Sequence, residues 1–229
     1  MTDPLLGEQR EYYEQRAGEY DDWWLRRGRY DQGPEENARW AAEGGEVRAA
    51  LDRLDVQGDV LELAPGTGQW SRLLLPRCET LTLVDGSPAM LAHNPAAASR
   101  RSRAVVADLF EWTTEERFDV VAFGFWLSHV PERLLGDFLA RVGAWLRPGG
   151  RLFYVDSRPY ASRVSPALVA TDGERHTRSL ADGREFAIVK VFRTPEALTA
   201  AFAAAGIDAE VCETATLFQY ATGVRNFRG

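Results

Sequence analysis

Two glycines one residue apart, followed by acids at the ends of later apolar runs, are the residues here best placed to do chemistry. Val60-Leu61-Glu62-Leu63-Ala64-Pro65-Gly66-Thr67-Gly68-Gln69-Trp70 reads as a buried strand, a tight turn and the start of a helix. Glycine permits such a turn, and the missing side chains let a ligand approach the backbone. A dinucleotide fingerprint would add a third glycine where this chain has Ser71. Gly-x-Gly alone serves an ordinary turn as well as a ligand loop. The next apolar run ends at Asp85, 17 positions beyond Gly68. That is near the ~20 expected for a carboxylate that accepts hydrogen bonds from ribose hydroxyls. Its structural alternative is a cap for a helix starting at Ser87-Pro88. A third run leads to Asp108, placed to accept from an adenine amino group beside Leu109 and Phe110. A turn-initiating Asp is the competing reading there.

His129 follows the fourth run, in Phe123-Gly124-Phe125-Trp126-Leu127-Ser128-His129. Imidazole titrates near working pH, so it suits removing a proton from a hydroxyl acceptor. A structural histidine that pins the loop before Pro131 is the alternative. His176 is a second candidate, and His93 is expected in solvent. The same stretch has no acidic pair, so no divalent-metal site is expected. Cys78 and Cys212 lie far apart, without a C-x-x-C, and are expected to be buried thiols rather than zinc ligands.

The elements that must position these residues are legible as a change of pattern. Asp59–Leu63, Leu81–Asp85, Arg103–Ala107, Phe118–Phe123 and Arg151–Asp156 are apolar without strict alternation, as in parallel strands buried on both faces. Pro131–Arg147 carries an apolar stripe and stops at Pro148-Gly149-Gly150. Strand–helix alternation implies a doubly wound α/β sheet. Thr194 and Pro195 start another helix that Gly206 ends, before strands at Asp208–Glu213 and Leu217–Thr222 that are expected to pair antiparallel. Residues 1–56 are expected to form a helical cap, and 57–229 the core, with an insertion at about 158–185 turning at Asp182-Gly183. Tyr12, Arg16 and Tyr20 would share one helix face.

Composition narrows the function classes. The chain has 229 residues, 45% hydrophobic and 27% charged, and a net charge of −7. That balance disfavours a broad nucleic-acid or anionic-membrane footprint, despite Arg100, Arg101 and Arg103. No signal-like or membrane-spanning apolar run occurs, so a cytoplasmic protein is expected.

As a set, VLELAPGTG, LVDGSPAML, VVADLFEW, FDVVAFGFWLSHVPE and LRPGGRLFYVDS resemble class I S-adenosylmethionine-dependent methyltransferases. The resemblance covers roughly residues 55–157 and the two closing strands. It implies a Rossmann-like, seven-stranded sheet with its last strand antiparallel and the cofactor across the strand carboxyl ends. Carried over by position, Ala64, Gly66, Thr67 and Gly68 would cradle the methionine part, and Asp85 would take the ribose. Gly86, Ser87, Met90, Asp108 and Leu109 would surround the adenine, with Phe125 under the sulfonium. The cap pattern in Tyr12–Asp21 implies that Tyr12 and Arg16 close over the cofactor. Methyl transfer to a small molecule, at a hydroxyl oxygen, is the leading expectation, with His129 as base. N-, S- or C-methylation, a nicotinamide oxidoreductase and a nonenzymatic nucleotide-binding module remain open. Trp23, Trp24 and Trp40, with Tyr12, Tyr13, Tyr20 and Tyr30, are expected to serve an acceptor pocket with Phe125 and Trp126, the alternative being that they glue the cap to the core.

Overall fold

The computed structural model describes residues 3–160 and 168–226, so 161–167 of the expected insertion lie outside it. Strands β1 (Asp59–Leu63), β2 (Thr80–Asp85), β3 (Ser102–Val106), β4 (Phe118–Gly124), β5 (Leu146–Ser157), β9 (Ile207–Glu213) and β10 (Phe218–Arg225) form one sheet. Their order is β3-β2-β1-β4-β5-β10-β9, with β1 to β5 parallel and β10 antiparallel to both neighbours. The doubly wound sheet with its last strand reversed is therefore present. Strand order reverses beside β1, the switch point where open α/β sheets bind ligands.

Both faces are covered over β1, β2, β4 and β5, which explains their near-continuous apolar sequences; β3, expected to be buried on both faces, is instead a largely exposed edge strand. On one face α6 (Glu132–Trp145) contributes Leu135, Phe138, Leu139 and Val142, and α7 (Pro195–Ala204) contributes Leu198 and Phe202. On the other, α3 (Pro34–Arg53) lays Trp40, Val47 and Leu51 against Val60, Leu81, Phe153 and Phe218. Thr194 caps α7 by accepting from Ala197 N–H at 3.2 Å, and Gly206, at φ 76°, turns the chain out of it. The helix predicted to run to Arg147 ends at Trp145, because β5 already starts at Leu146 and pairs with Phe118. Pro148-Gly149-Gly150 then shifts the register rather than opening a loop.

The cap comprises α1 (Pro4–Arg16), α2 (Tyr20–Trp24) and α3. Asp3 accepts from Leu5 N–H at 2.9 Å and starts α1. A second, antiparallel sheet of β6 (Leu168–Asp172), β7 (Arg175–Ser179) and β8 (Glu185–Val189) follows the main β5 strand. β7 and β8 turn through Asp182-Gly183, with Leu180 N–H bonded to Arg184 O at 2.9 Å. α1 covers the free edge of β8: Ala187 N–H donates to Glu8 at 2.6 Å and Val189 N–H to Gln9 at 2.9 Å. Cys78 is buried, but Cys212 is exposed, since its neighbour Val211 takes the inward position of an alternating edge strand.

Candidate active site

A narrow cleft, partly open to solvent, lies at the carboxyl ends of β1, β2 and β4 under α1. Its floor is backbone. Ala64 and Phe125 line it with left-handed φ of 49° and 57°, conformations that non-glycine residues hold only when their surroundings impose them. Gly66 joins them at φ 54°. At Gly86 an added Cβ would stand 3.6 Å from the Arg10 side chain and 3.7 Å from Ala107 O, so the wall is close there.

Asp85 sits at the centre of this floor. Its Oδ2 accepts from Gly66 N–H at 3.0 Å and its Oδ1 from Ser87 N–H at 2.9 Å. Burial outweighs those bonds and pushes its carboxyl up to about 6. The helix-cap alternative belongs to Ser87 instead, whose Oγ accepts from Met90 N–H at 3.0 Å. Met90 and Leu109 supply an apolar wall with Phe110. Asp108 takes its turn reading, with Oδ1 accepting from Phe110 N–H at 2.9 Å, while Oδ2 pairs with Arg10 at 2.7 Å on the cleft rim.

The opposite wall comes from α1, where Leu6, Gln9, Arg10 and Tyr13 line the cleft at the i, i+3, i+4 and i+7 spacing of one helix face. Tyr13 Oη lies 2.8 Å from His129 Nε2, and His129 Nδ1 lies 2.8 Å from Val189 O. A carbonyl only accepts, so Nδ1 carries the hydrogen, and Nε2 accepts from the Tyr13 hydroxyl. Burial, with Lys190 second, holds the imidazole well below its usual range, so it stays neutral. Burial likewise pushes the Tyr13 phenol up, so it stays protonated. Gln9 Nε2 donates to His129 O at 3.2 Å and locks the same loop to α1. Behind it, Ser128 donates from both N–H and Oγ to Asp156 at 2.8 Å, and Lys190 Nζ donates to Ser128 Oγ at 2.7 Å.

Of the residues the sequence singled out, Ala64, Gly66, Asp85, Gly86, Ser87, Met90, Asp108, Leu109, Phe125 and His129 line the cleft. Four do not. Tyr12 turns to the small sheet and packs on Phe186, while Arg16 lies between the rings of Tyr12, Tyr20 and Tyr30. The spacing did bring Tyr12, Arg16 and Tyr20 together, but behind the wall. Thr67 Oγ1 donates to Asp21 at 2.5 Å, and Gln69 donates to the same oxygen at 2.7 Å. Gly68 serves packing: at φ 91° its added Cβ would stand 2.4 Å from Asn94 Oδ1. Trp23, Trp24 and Trp40 do not line this cleft; they join Trp70, Phe125 and Phe218 in an aromatic cluster between the N-terminal helices and the sheet, the alternative the sequence had left open. Tyr13 and Tyr20, expected among the pocket aromatics, do line the cleft, whereas Leu6, Gln9 and Arg10 were missed. Apolar residues are scattered around α1, so only its helical spacing from Leu6 to Tyr13 could have found the working face. His93 is exposed, as expected.

A family model described as a methyltransferase domain matches residues 60–150. DhpI in complex with SAH is 34% identical over 98% of this chain and 98% of that one, with a TM-score of 0.75. This chain belongs to the class I S-adenosylmethionine-dependent methyltransferases. The complex of DhpI with SAM and HEP matches at 34% identity, 97% and 99% coverage and a TM-score of 0.77. The fold is shared at 21% identity by the 1,6-didemethyltoxoflavin-N1-methyltransferase of Burkholderia thailandensis, with its acceptor and S-adenosylhomocysteine bound (96% and 88% coverage, TM-score 0.59). No curated protein matches the chain. The methyltransferase uses S-adenosylmethionine as its cofactor. Its cleft suits that group: a near-bare backbone floor at Gly66 and Gly86, a buried carboxylate at Asp85 for ribose hydroxyls, and an apolar slot at Met90 and Leu109 for a flat base.

Proposed function

We propose that this methyltransferase methylates a hydroxyl oxygen of a small molecule in the cytoplasm, with Tyr13 and His129 handling the proton. The observation that carries the reading is the Tyr13–His129–Val189 hydrogen-bond chain, which ends in the cleft. S-adenosylmethionine, when bound, supplies a methyl group on a positively charged sulfur, which needs alignment more than activation. Asp85, Gly66 and Gly86 would hold the adenosine, Met90, Asp108 and Leu109 would border its base, and Phe125 would lie toward the sulfur. Tyr13 spends its hydrogen on His129, so its oxygen lone pair faces the acceptor. When the acceptor hydroxyl gives up its proton, that proton would pass to Tyr13 and the Tyr13 proton to His129 Nε2. Val189 O steadies the imidazolium through Nδ1–H.

α1 serves as a cap over this chemistry, joined to the rim by Arg10–Asp108, by Glu14 on Ser87 at 2.6 Å, and by Tyr13 on His129. A cleft this narrow favours a small acceptor over a polymer, and the acidic net charge disfavours nucleic acid. Among the described residues no helix is long and apolar enough to cross a membrane. The reading is tested with methyl-labelled S-adenosylmethionine and a panel of small alcohols, amines and thiols. Label in a methyl ether or ester supports it. Label only on nitrogen, sulfur or carbon would replace the oxygen assignment.

A further inference from the structure

The space between α1 and the small sheet concentrates buried positive charge directly behind the Tyr13–His129 pair. His176 opposes Ile188 and Arg178 opposes Phe186 in the β7–β8 ladder, so these side chains share one face, and alternation puts Lys190 on it too. That face meets α1, where Tyr12 packs on Phe186 and Ile188. Arg16 lies there, 4% exposed, with its guanidinium 4.8 Å from the Tyr20 ring centre. Its Nη2 reaches Tyr30 Oη at 3.4 Å and its Nε has no partner. Among the described residues no carboxylate forms an ion pair with it. Lys190 and Arg178 are also buried, and Lys190 stands 3.7 Å from Asp156.

Charges this deep are costly unless matched. Their mutual repulsion is visible in their neighbours. Lys190 is held down to about 8 by burial, with Arg178 and Arg16 adding to the effect against the pull of Asp156. Lys190, Arg178 and Arg16 all lower the basicity of His129. Proton transfer to His129 would add another positive charge to this group, and a bound anion would relieve it. Guanidinium forks and an ammonium suit the oxygens of a carboxylate or phosphate-type group.

We propose that the acceptor is a small oxyanion whose charged group is held between α1 and the small sheet by Arg16, Arg178 and Lys190, while its hydroxyl reaches Tyr13. This rests on the hydroxyl-methylation reading above. Calorimetry on the full chain saturated with S-adenosylhomocysteine tests it, with inorganic phosphate and glycolate as probes and ethylene glycol as the neutral counterpart. At least one oxyanion binds and ethylene glycol does not; which oxyanion wins separates phosphate-type from carboxylate chemistry. Arg178→Gln and Lys190→Met each weaken that binding by roughly tenfold or more, with S-adenosylhomocysteine affinity kept. Arg178→Lys, which keeps the charge, restores part of it. Should the neutralising variants unfold, the comparison of both oxyanions with ethylene glycol on the unaltered protein still decides. Binding of neither oxyanion, ethylene glycol binding as tightly as the better oxyanion, or oxyanion affinity unchanged in both folded variants, overturns the proposal. Methyl transfer to neutral alcohols without oxyanion binding overturns it and leaves the hydroxyl reaction standing. Oxyanion binding without hydroxyl methylation overturns the hydroxyl reaction, and with it the acceptor hydroxyl at Tyr13, while the anion site stands.

Discussion

The two walls of the cleft are made of different material. The β1–β2–β4 wall is mostly main chain: glycines, left-handed turns at Ala64 and Phe125, and a single short carboxylate, Asp85. The α1 wall is side chain throughout, with Gln9, Arg10 and Tyr13 reaching across to the core. A main-chain wall recognises the constant part of a reaction, because backbone shape tolerates little change. A side-chain wall can be altered one residue at a time without disturbing the sheet. On the reading proposed above, cofactor recognition belongs to the first wall, and acceptor chemistry to the second together with His129, which follows β4.

The largest effect that would sharpen this division is at His129. His129→Ala should lower turnover by roughly 10²–10⁴-fold with S-adenosylhomocysteine affinity little changed, measured by steady-state kinetics and calorimetry. Because burial keeps the imidazole neutral, kcat should not fall as pH drops through the ordinary histidine range near ~6.5. A fall there would mean that His129 is solvated and not locked between Tyr13 and Val189.

Asp85 probes the other wall. Its carboxyl is raised to about 6 in the folded protein, and ribose hydroxyls bind the charged form. Protonation therefore opposes binding, so cofactor affinity should be full above that value and decline as pH falls through it. Asp85→Asn should weaken S-adenosylhomocysteine by about 1–3 kcal/mol at neutral pH and flatten the pH profile. Calorimetry across the acid range reads both effects, and a profile that stays steep in the variant would assign the titration to another group.

Gly68 separates packing from ligand contact within one motif. Gly68→Ala forces a side chain into left-handed backbone and onto Asn94, so it should cost about 1–3 kcal/mol of stability in denaturant unfolding. The folded fraction should bind cofactor normally. The smallest effect is expected from chelation: EDTA should leave activity unchanged, since no group of three or more His, Cys, Asp or Glu among the described residues could hold a metal ion. Loss of activity that Mg²⁺ restores would contradict that reading.

The difference between the walls also explains what the sequence revealed. Gly66, Asp85, Asp108 and the strands that carry them were legible, because a turn after a buried strand is a local feature written in consecutive residues. The contact of Tyr13 with His129 was not. α1 has no amphipathic bias to orient it, so whether Tyr12 or Tyr13 meets His129 depends on β8, more than a hundred residues away, bonding Glu8 and Gln9. The tryptophans were left between two readings for a related reason: aromatic composition does not distinguish a pocket from the joint that secures a cap. Thr67 looked like a ligand residue, but its hydroxyl is taken by Asp21, a long-range partner with no sequence signature.

The division of labour is tested most directly by Tyr13→Phe, with S-adenosylhomocysteine binding and labelled methyl transfer measured on one preparation. Tyr13 lines the cleft and bonds His129, yet makes no hydrogen bond to the Asp85 floor. The predicted result is cofactor affinity within about threefold of the unaltered protein and transfer lowered by roughly 10²-fold or more. Transfer at the full rate, or cofactor affinity lost in proportion to transfer, would contradict the assignment of acceptor chemistry to the α1 wall.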